Sequence, residues 1–100
     1  MQIIKPSVAG TMESSDIMIT LEPCSNGIEI ELQSQVDTQF GRHIRSLINN
    51  TLSELQVKSA RLKAVDKGAL DCTIQARVKT AVQRAVSPHQ KDGDERRVPK

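Results

Sequence analysis

Few side chains in this sequence could perform catalysis without help from a partner. The chain contains two histidines, two cysteines, and no tyrosine or tryptophan. None of them has the Cys-x-x-Cys or His-x-x-x-His spacing typical of a structural zinc site, and no glycine-rich phosphate-binding motif is present. His43 falls at the border of an apolar helical stripe with no acid placed to orient it, and His89 lies near the carboxyl terminus. We therefore predict neither a catalytic residue nor a metal site.

The two cysteines and the charge balance exclude further classes. Cys24 and Cys72 are too few for a disulfide framework, which predicts a cytoplasmic protein with reduced thiols. Cys72 is expected to be a partly buried structural residue. Fourteen basic and 12 acidic residues give a net charge of +2, and Phe40 is the single aromatic residue. Without a basic stripe or stacking platforms we predict no nucleic-acid partner, and without an apolar run of roughly 20 residues no membrane span.

One short segment has the composition of an attachment site rather than of a catalytic centre. Residues 9–16, Ala-Gly-Thr-Met-Glu-Ser-Ser-Asp, form a small polar stretch that leads into the first regular strand. A serine hydroxyl on an exposed loop can accept a phosphodiester made by another enzyme, because it needs no activated partner of its own. Glu13 and Asp16 could steer the basic groups or the metal of that enzyme. Ser14 and Ser15 are adjacent candidates.

Three stretches with a period of two predict the strands. Apolar residues alternate with polar ones over 16–22 and 28–33, and the intervening Pro23-Cys-Ser-Asn-Gly27 has turn chemistry. This pattern predicts a β-hairpin with one buried face. A weaker strand spans 57–65, and the sequence does not specify whether it lies next to the second or the first strand. If it pairs beside the second strand, Arg61 and Lys63 would face the acidic residues of that strand across the outer surface.

Two amphipathic helices complete the pattern. The first stripe consists of Val36, Phe40, Ile44, Leu47, Ile48, Thr51, Leu52 and Leu55, with Asp37 as the expected N-cap. The second consists of Leu70, Ile74, Val78, Ala81, Val82 and Ala85, and Pro88 ends it. Between the third strand and this helix, Asp66-Lys-Gly68 predicts a turn with Asp66 as its cap, although the stretch Asp66–Cys72 could equally lie near a group attached to the serine segment or contact a catalytic partner subunit.

These elements predict an α+β fold in the order ββαβα. We expect a two-layer sandwich in which two helices cover one face of a three-stranded sheet. Residues 1–15 are predicted to be a flexible, irregular lead that carries the attachment serine. Residues 16–87 form one α+β domain, and residues 88–100 form a disordered polar tail.

The serine segment and two later stretches resemble the acyl carrier protein (gamma subunit) of bacterial citrate lyase. The matching stretches are Val8–Asp16, Gln39-Phe-Gly41, and Asp66–Cys72 followed by Ala76-Arg77. The resemblance extends from Pro6 to about Val86. In that family the serine of the first stretch carries 2′-(5″-phosphoribosyl)-3′-dephospho-coenzyme A through a phosphodiester bond. The matching residue is Ser14, while Ser15 stands where relatives often have glycine.

The resemblance implies a non-catalytic carrier subunit. It would carry acetyl and citryl thioesters on that group while citrate is cleaved to acetate and oxaloacetate. The implied partners are the alpha (acyl transferase) and beta (citryl lyase) subunits, a prosthetic-group transferase and an acetylating ligase. Two alternatives are a carrier subunit of malonate decarboxylase, which uses a related arm, and a non-enzymatic interaction domain.

Overall fold

Four strands and two helices form two layers. The computed structural model describes residues 2–34 and 38–86. The elements are β1 (Ser7–Gly10), β2 (Ile17–Glu22), β3 (Ile28–Ser34), α1 (Thr38–Glu54), β4 (Ala60–Asp66) and α2 (Asp71–Val86). The strand order is β1-β2-β4-β3. β2 is antiparallel to both β1 and β4, and β3 is parallel to β4.

The sheet differs from the expected one in strand number and pairing. The α+β class is confirmed, but the sheet has four strands, and β2 and β3 are not a hairpin because β4 lies between them. Alternation indicates which side chains face inward, not which strand is the neighbour. The inward side chains of β4 are fully buried, as a central strand requires, whereas those of β3 are only partly buried.

The amino-terminal segment is also more regular than expected. β1 lies within residues 1–15, where an irregular lead was predicted, and its four residues pair with β2. Ser7 donates a hydrogen bond from its hydroxyl to the Ala81 carbonyl of α2 at 2.6 Å, and Ile3 is buried. β1 has only four residues, too few to show an alternation of apolar and polar side chains, so its tertiary contacts define it as a strand. Val36, Asp37 and the predicted tail over 88–100 lie outside the described residues.

β4 pairs beside β3, so the facing of acidic and basic residues expected for that pairing is confirmed by the register. Glu29 is in register with Arg61, and Glu31 with Lys63. The Nε atom of Arg61 lies 3.3 Å from Glu29 Oε1, and its Nη1 lies 3.7 Å from Glu22 Oε1 on β2. About half of each side chain is exposed, so these pairs specify register more than they stabilise the fold.

An aliphatic core fills the space between the sheet and the helices. Its largest fully buried apolar side chains are Ile17, Ile19, Leu21, Ile44, Ile48, Leu52, Leu62, Ile74, Val78 and Val82. Two residues that were predicted to lie on the apolar stripes are exposed instead: Phe40 by 43% and Leu70 by 69%. Phe40 is the third residue of α1, and Leu70 immediately precedes α2.

The connections group the loops at two ends of the sheet. At one end of the sheet β1 ends, β2 begins and β4 ends, because Gly10 pairs with Met18 and Ile17 pairs with Asp66. Both helices also begin at this end, because α1 follows β3, which is parallel to β4, and α2 follows β4. We call this the serine end, comprising the loop 11–16, the turn 67–70 and the first turns of α1 and α2. No helix among the described residues is both long and apolar enough to cross a membrane.

Candidate attachment site

Ser14 and Ser15 lie in the loop that joins β1 to β2, and both are exposed. The second half of the loop is tied to the turn after β4 by two backbone hydrogen bonds. The Ser15 N–H donates to the Lys67 carbonyl at 2.8 Å, and the Lys67 N–H donates to the Asp16 carbonyl at 2.9 Å. Within the loop, the Asp16 N–H donates to the Glu13 carbonyl at 3.2 Å. The serines are therefore presented on a closed loop whose base is hydrogen-bonded to the turn after β4.

The carboxylate of Asp16 organises that base. Its Oδ1 accepts hydrogen bonds from the Ile17 N–H at 2.7 Å and from Arg77 Nε at 3.1 Å. Its Oδ2 accepts from the Thr11 hydroxyl at 2.6 Å and from Arg77 Nη2 at 2.9 Å. The hydrogen bonds from Arg77, followed by that from Thr11, lower the pKa of Asp16 to about 2. Asp16 therefore holds the loop against α2, and its carboxylate is not free to steer an incoming enzyme; Glu13 remains exposed.

The close approach of β1 to β2 at the loop base requires a glycine. Gly10 has a φ of +94°, in the left-handed region. A Cβ atom at this position would lie 1.8 Å from the Ile17 carbonyl oxygen and 3.3 Å from Arg77 Cδ. The backbone of β2 and the arginine that binds Asp16 therefore occupy the space of any side chain at position 10.

A second buried carboxylate organises the neighbouring turn. Asp66 is 2% exposed. Its Oδ1 accepts a hydrogen bond from the Ala69 N–H at 3.1 Å, and its Oδ2 accepts from the Ser34 hydroxyl at 3.1 Å. The prediction that Asp66 caps this turn is confirmed. Lys67 also bonds to the serine loop, so this turn lies beside the candidate attachment residues.

Tertiary structure places the other candidate residues differently from expectation. Nε2 of His43 lies 2.9 Å from Asp71 Oδ2 and 3.0 Å from Oδ1, so an acid does orient this histidine. Cys72 is exposed, so the expected partial burial is wrong. Cys24 lies in the connection from β2 to β3 and is half-buried, with its thiol 3.7 Å from Glu29 Oε2. His89 lies outside the described residues, among which no group of three or more His, Cys, Asp or Glu could hold a metal.

A recess at the opposite end of the sheet is separate from these residues. Its volume is about 890 Å³, and Cys24, Ser25 and residues 57–59 contribute to its lining. The strands β2 and β4 lie between it and the serine loop. It therefore does not belong to the attachment site.

Comparison with known proteins identifies the family. Residues 4–85 match the family profile described as malonate decarboxylase delta subunit (MdcD). The citrate lyase acyl carrier protein of Streptococcus uberis is 58% identical over 85 residues, which cover 85% of this chain and 84% of the relative. That of Latilactobacillus sakei is 50% identical over 95 residues, covering 95% and 94%. The chain belongs to the citrate lyase acyl carrier protein family.

This membership confirms the resemblance drawn from the three sequence stretches. A solved structure shares the fold at greater distance. A chain of the Pseudomonas malonate decarboxylase hetero-tetramer in complex with malonate superposes with a TM-score of 0.67 at 19% identity, covering 85% of this chain and 92% of its own. Malonate decarboxylase is thus the more distant relative.

The backbone at position 15 suits the glycine that the family resemblance implies there. Ser15 has a φ of +65°, a left-handed conformation that glycine adopts without strain. Ser14 lies before it, and none of the hydrogen bonds among the described residues involves the Ser14 side chain. The Asp16 N–H to Glu13 carbonyl bond closes a turn with Ser14 and Ser15 at its centre, and of these two only Ser15 has the left-handed backbone.

Proposed function

We propose that this chain is the non-catalytic acyl carrier subunit of a citrate lyase and that Ser14 is its attachment residue. Relatives named citrate lyase acyl carrier proteins support the first part, at 50–59% identity over most of the chain. One structural observation carries the second part. Ser14 is an exposed serine in a closed loop whose base is held to the folded body by Asp16 and Lys67.

The surroundings of Ser14 fit a phosphodiester-linked group. The hydroxyl is exposed, so a phosphodiester formed on it would stay in water and would avoid the cost of burying a charge. The group proposed is 2′-(5″-phosphoribosyl)-3′-dephospho-coenzyme A, bound covalently to the Ser14 oxygen. When attached, it supplies the thiol that holds acetyl and citryl groups as thioesters.

The chain's own contribution is to fix the anchor point. Hydrogen bonds from Arg77 to Asp16, and between Lys67 and Ser15, hold the loop in one place relative to the sheet and α2. An arm fixed at one end samples a small volume, which raises its effective concentration at any active site within reach. Neither cysteine is required for this role, since the thiol comes with the group.

Ser15 has a different role in this proposal. Its left-handed backbone and its N–H bond to Lys67 close the turn that follows Ser14. A substitution to glycine should preserve this turn, whereas a side chain with a Cβ keeps the strain that serine already has. Modification at Ser14 should therefore tolerate glycine at position 15.

The proposal implies specific partners in the cytoplasm. The thioester-bearing arm would serve an alpha subunit that acts as acyl transferase and a beta subunit that acts as citryl lyase. A prosthetic-group transferase would load Ser14, and an acetylating ligase would charge the thiol.

Intact-mass measurement tests the proposal directly. The chain is produced in a host that contains the attachment enzymes, together with Ser14→Ala and the control Ser15→Gly. We expect the wild type and Ser15→Gly to gain the mass of one group and Ser14→Ala to gain none. Modification of Ser14→Ala would place the site elsewhere, and an unmodified wild type would contradict the carrier function.

A further inference from the structure

Two residues break the apolar stripes of the helices in the same way. Leu70 and Phe40 were predicted to face the core, yet Leu70 is 69% exposed and Phe40 is 43% exposed. Leu70 is the most exposed large apolar residue in the described part of the chain. One exposed leucine alone is ordinary on a protein surface. What distinguishes this leucine is its surroundings.

A histidine–carboxylate contact links the two helix starts on which these residues lie. Nε2 of His43 on α1 lies 2.9 Å from Asp71 Oδ2 on α2, next to Leu70. The Phe40 ring stacks on the His43 imidazole, with 6.1 Å between centroids and 23° between planes. Asp71, the chain neighbour of Leu70, thus links it to His43 and Phe40, and we call these four residues the Leu70 patch. Because His43 is held between Phe40 and Asp71, little side-chain freedom is lost there when a partner binds.

The Leu70 patch is continuous with the attachment site. Leu70 ends the turn 67–70, which Asp66 holds through the Ala69 N–H. The first residue of that turn, Lys67, is bonded through its peptide groups to Ser15 and Asp16. A protein that receives the arm of Ser14 must approach the serine end, and this turn joins the patch to the serine loop.

We propose that the Leu70 patch is the docking surface for the catalytic subunit that takes the acyl group from the arm. This inference rests on the proposed carrier function. The occupant we expect is a different protein with an apolar recess beside the entrance to its active site, into which Leu70 and Phe40 insert. His43 and Asp71 supply the polar rim that surrounds apolar anchors in protein interfaces.

Two observations favour this occupant over others. The fold relative is a chain of a hetero-tetramer, which favours a different subunit over a second copy of this chain. Within the patch, His43 and Asp71 are paired with each other, which leaves Leu70 and Phe40 as its apolar contacts. Docking should therefore depend only weakly on salt, unlike binding to a charged surface.

The test uses the loaded carrier in the assembled complex. Wild type, Leu70→Ala and Leu70→Lys are compared with Ile4→Ala, a matched control because Ile4 is also exposed, by 47%, and bonds near the other end of α2 at Ala85. Intact mass first establishes that each variant carries the group on Ser14. Citrate cleavage is then measured while the carrier is titrated against the catalytic subunits.

We expect the carrier concentration for half-maximal rate to rise about tenfold or more in both Leu70 variants, as for an interface anchor. The maximal rate should stay within about twofold, because the patch is not at the reacting atoms. Ile4→Ala should titrate like the wild type. Leu70 variants should remain folded by circular dichroism, since the side chain that is removed is already exposed.

Several outcomes would overturn the inference. Leu70→Lys titrating like the wild type would do so, as would an equal loss in Ile4→Ala. A wild-type dimer in sedimentation that Leu70→Lys dissociates would assign the patch to self-association instead. Failure of the wild type to gain the group would contradict the carrier function itself. In that case binding of the unmodified chain to the isolated subunits, with and without Leu70→Lys, tests the docking surface separately.

Discussion

Replacing Asp16 with asparagine should lower the free energy of unfolding by about 2 kcal/mol near neutral pH. The magnitude comes from the pKa of Asp16, which Arg77 and Thr11 lower from an ordinary 3.8 to about 2. Each unit of that difference corresponds to about 1.4 kcal/mol of stabilisation of the folded state. Asparagine keeps one acceptor oxygen but loses the charge and the second carboxylate oxygen. Solvent screens part of this interaction because the Arg77 side chain is 39% exposed, so the expected loss is smaller than full conversion of the pKa difference would give.

The pH dependence of this effect has a definite sign. The pKa of Asp16 is lower in the folded chain than in the unfolded chain, so the carboxylate stabilises the fold at pH values above about 3.8. That stabilisation is lost as the pH falls through about 2. The difference in free energy of unfolding between wild type and Asp16→Asn should be largest near neutral pH and should disappear as the pH falls from about 3.8 to about 2.

Urea unfolding followed by far-ultraviolet circular dichroism measures this difference, because the chain has no tryptophan or tyrosine for fluorescence. Glu13→Gln is the matched control. It removes an exposed carboxylate from the same loop and should change stability by less than about 0.5 kcal/mol. A difference of equal size near neutral pH and in acid would refute the linkage. So would an equal loss in the control.

Two further substitutions test the base of the serine end by the same urea measurement. Gly10→Ala should prevent folding or lower the free energy of unfolding by more than about 3 kcal/mol, because its Cβ would meet the Ile17 oxygen at 1.8 Å. Gly27→Ala, at a φ of +86° but with open space around it, should cost only about 1 kcal/mol; equal losses would contradict the steric argument. Asp66→Ala should cost about 2–3 kcal/mol because it leaves the buried Ala69 N–H without its acceptor, and Asp66→Asn should restore part of that loss. A neutral Asp66→Ala would show that water replaces the carboxylate.

Local patterns predicted the elements much better than their arrangement. The alternation that begins at Ile17 and at Ile28 matches β2 and β3, and the stripes through Ile48 and Val78 match the two helices. The prediction of a hairpin was wrong because a turn sequence between two strands permits their pairing but does not require it. β4, whose inner face carries alanine and leucine, fits between them and is buried there. Which strands become neighbours depends on which of them occupies the centre of the sheet, and the two-residue period of alternation does not show this.

The candidate site shows the same division. The exposed serine loop was identifiable from its small polar composition and from the family resemblance. Its organising contact was not, because Asp16 and Arg77 are 61 residues apart in sequence. The acid that orients His43 is hidden in the sequence for the same reason, since Asp71 is 28 residues away. A charged side chain in a sequence carries no sign of which distant partner it will meet.

The sequence by itself determined the two kinds of element, most of their inward-facing residues and the family, and through the family it indicated Ser14 as the candidate attachment residue. These properties depend on residue type and on spacings of a few positions, which a linear chain displays directly. Tertiary structure decided that β4 separates β2 from β3, that Asp16 and Arg77 hold the serine loop closed, and that Leu70 and Phe40 face solvent beside it. Each of these depends on which distant segments share the limited space around one core, and that is settled only when the chain folds.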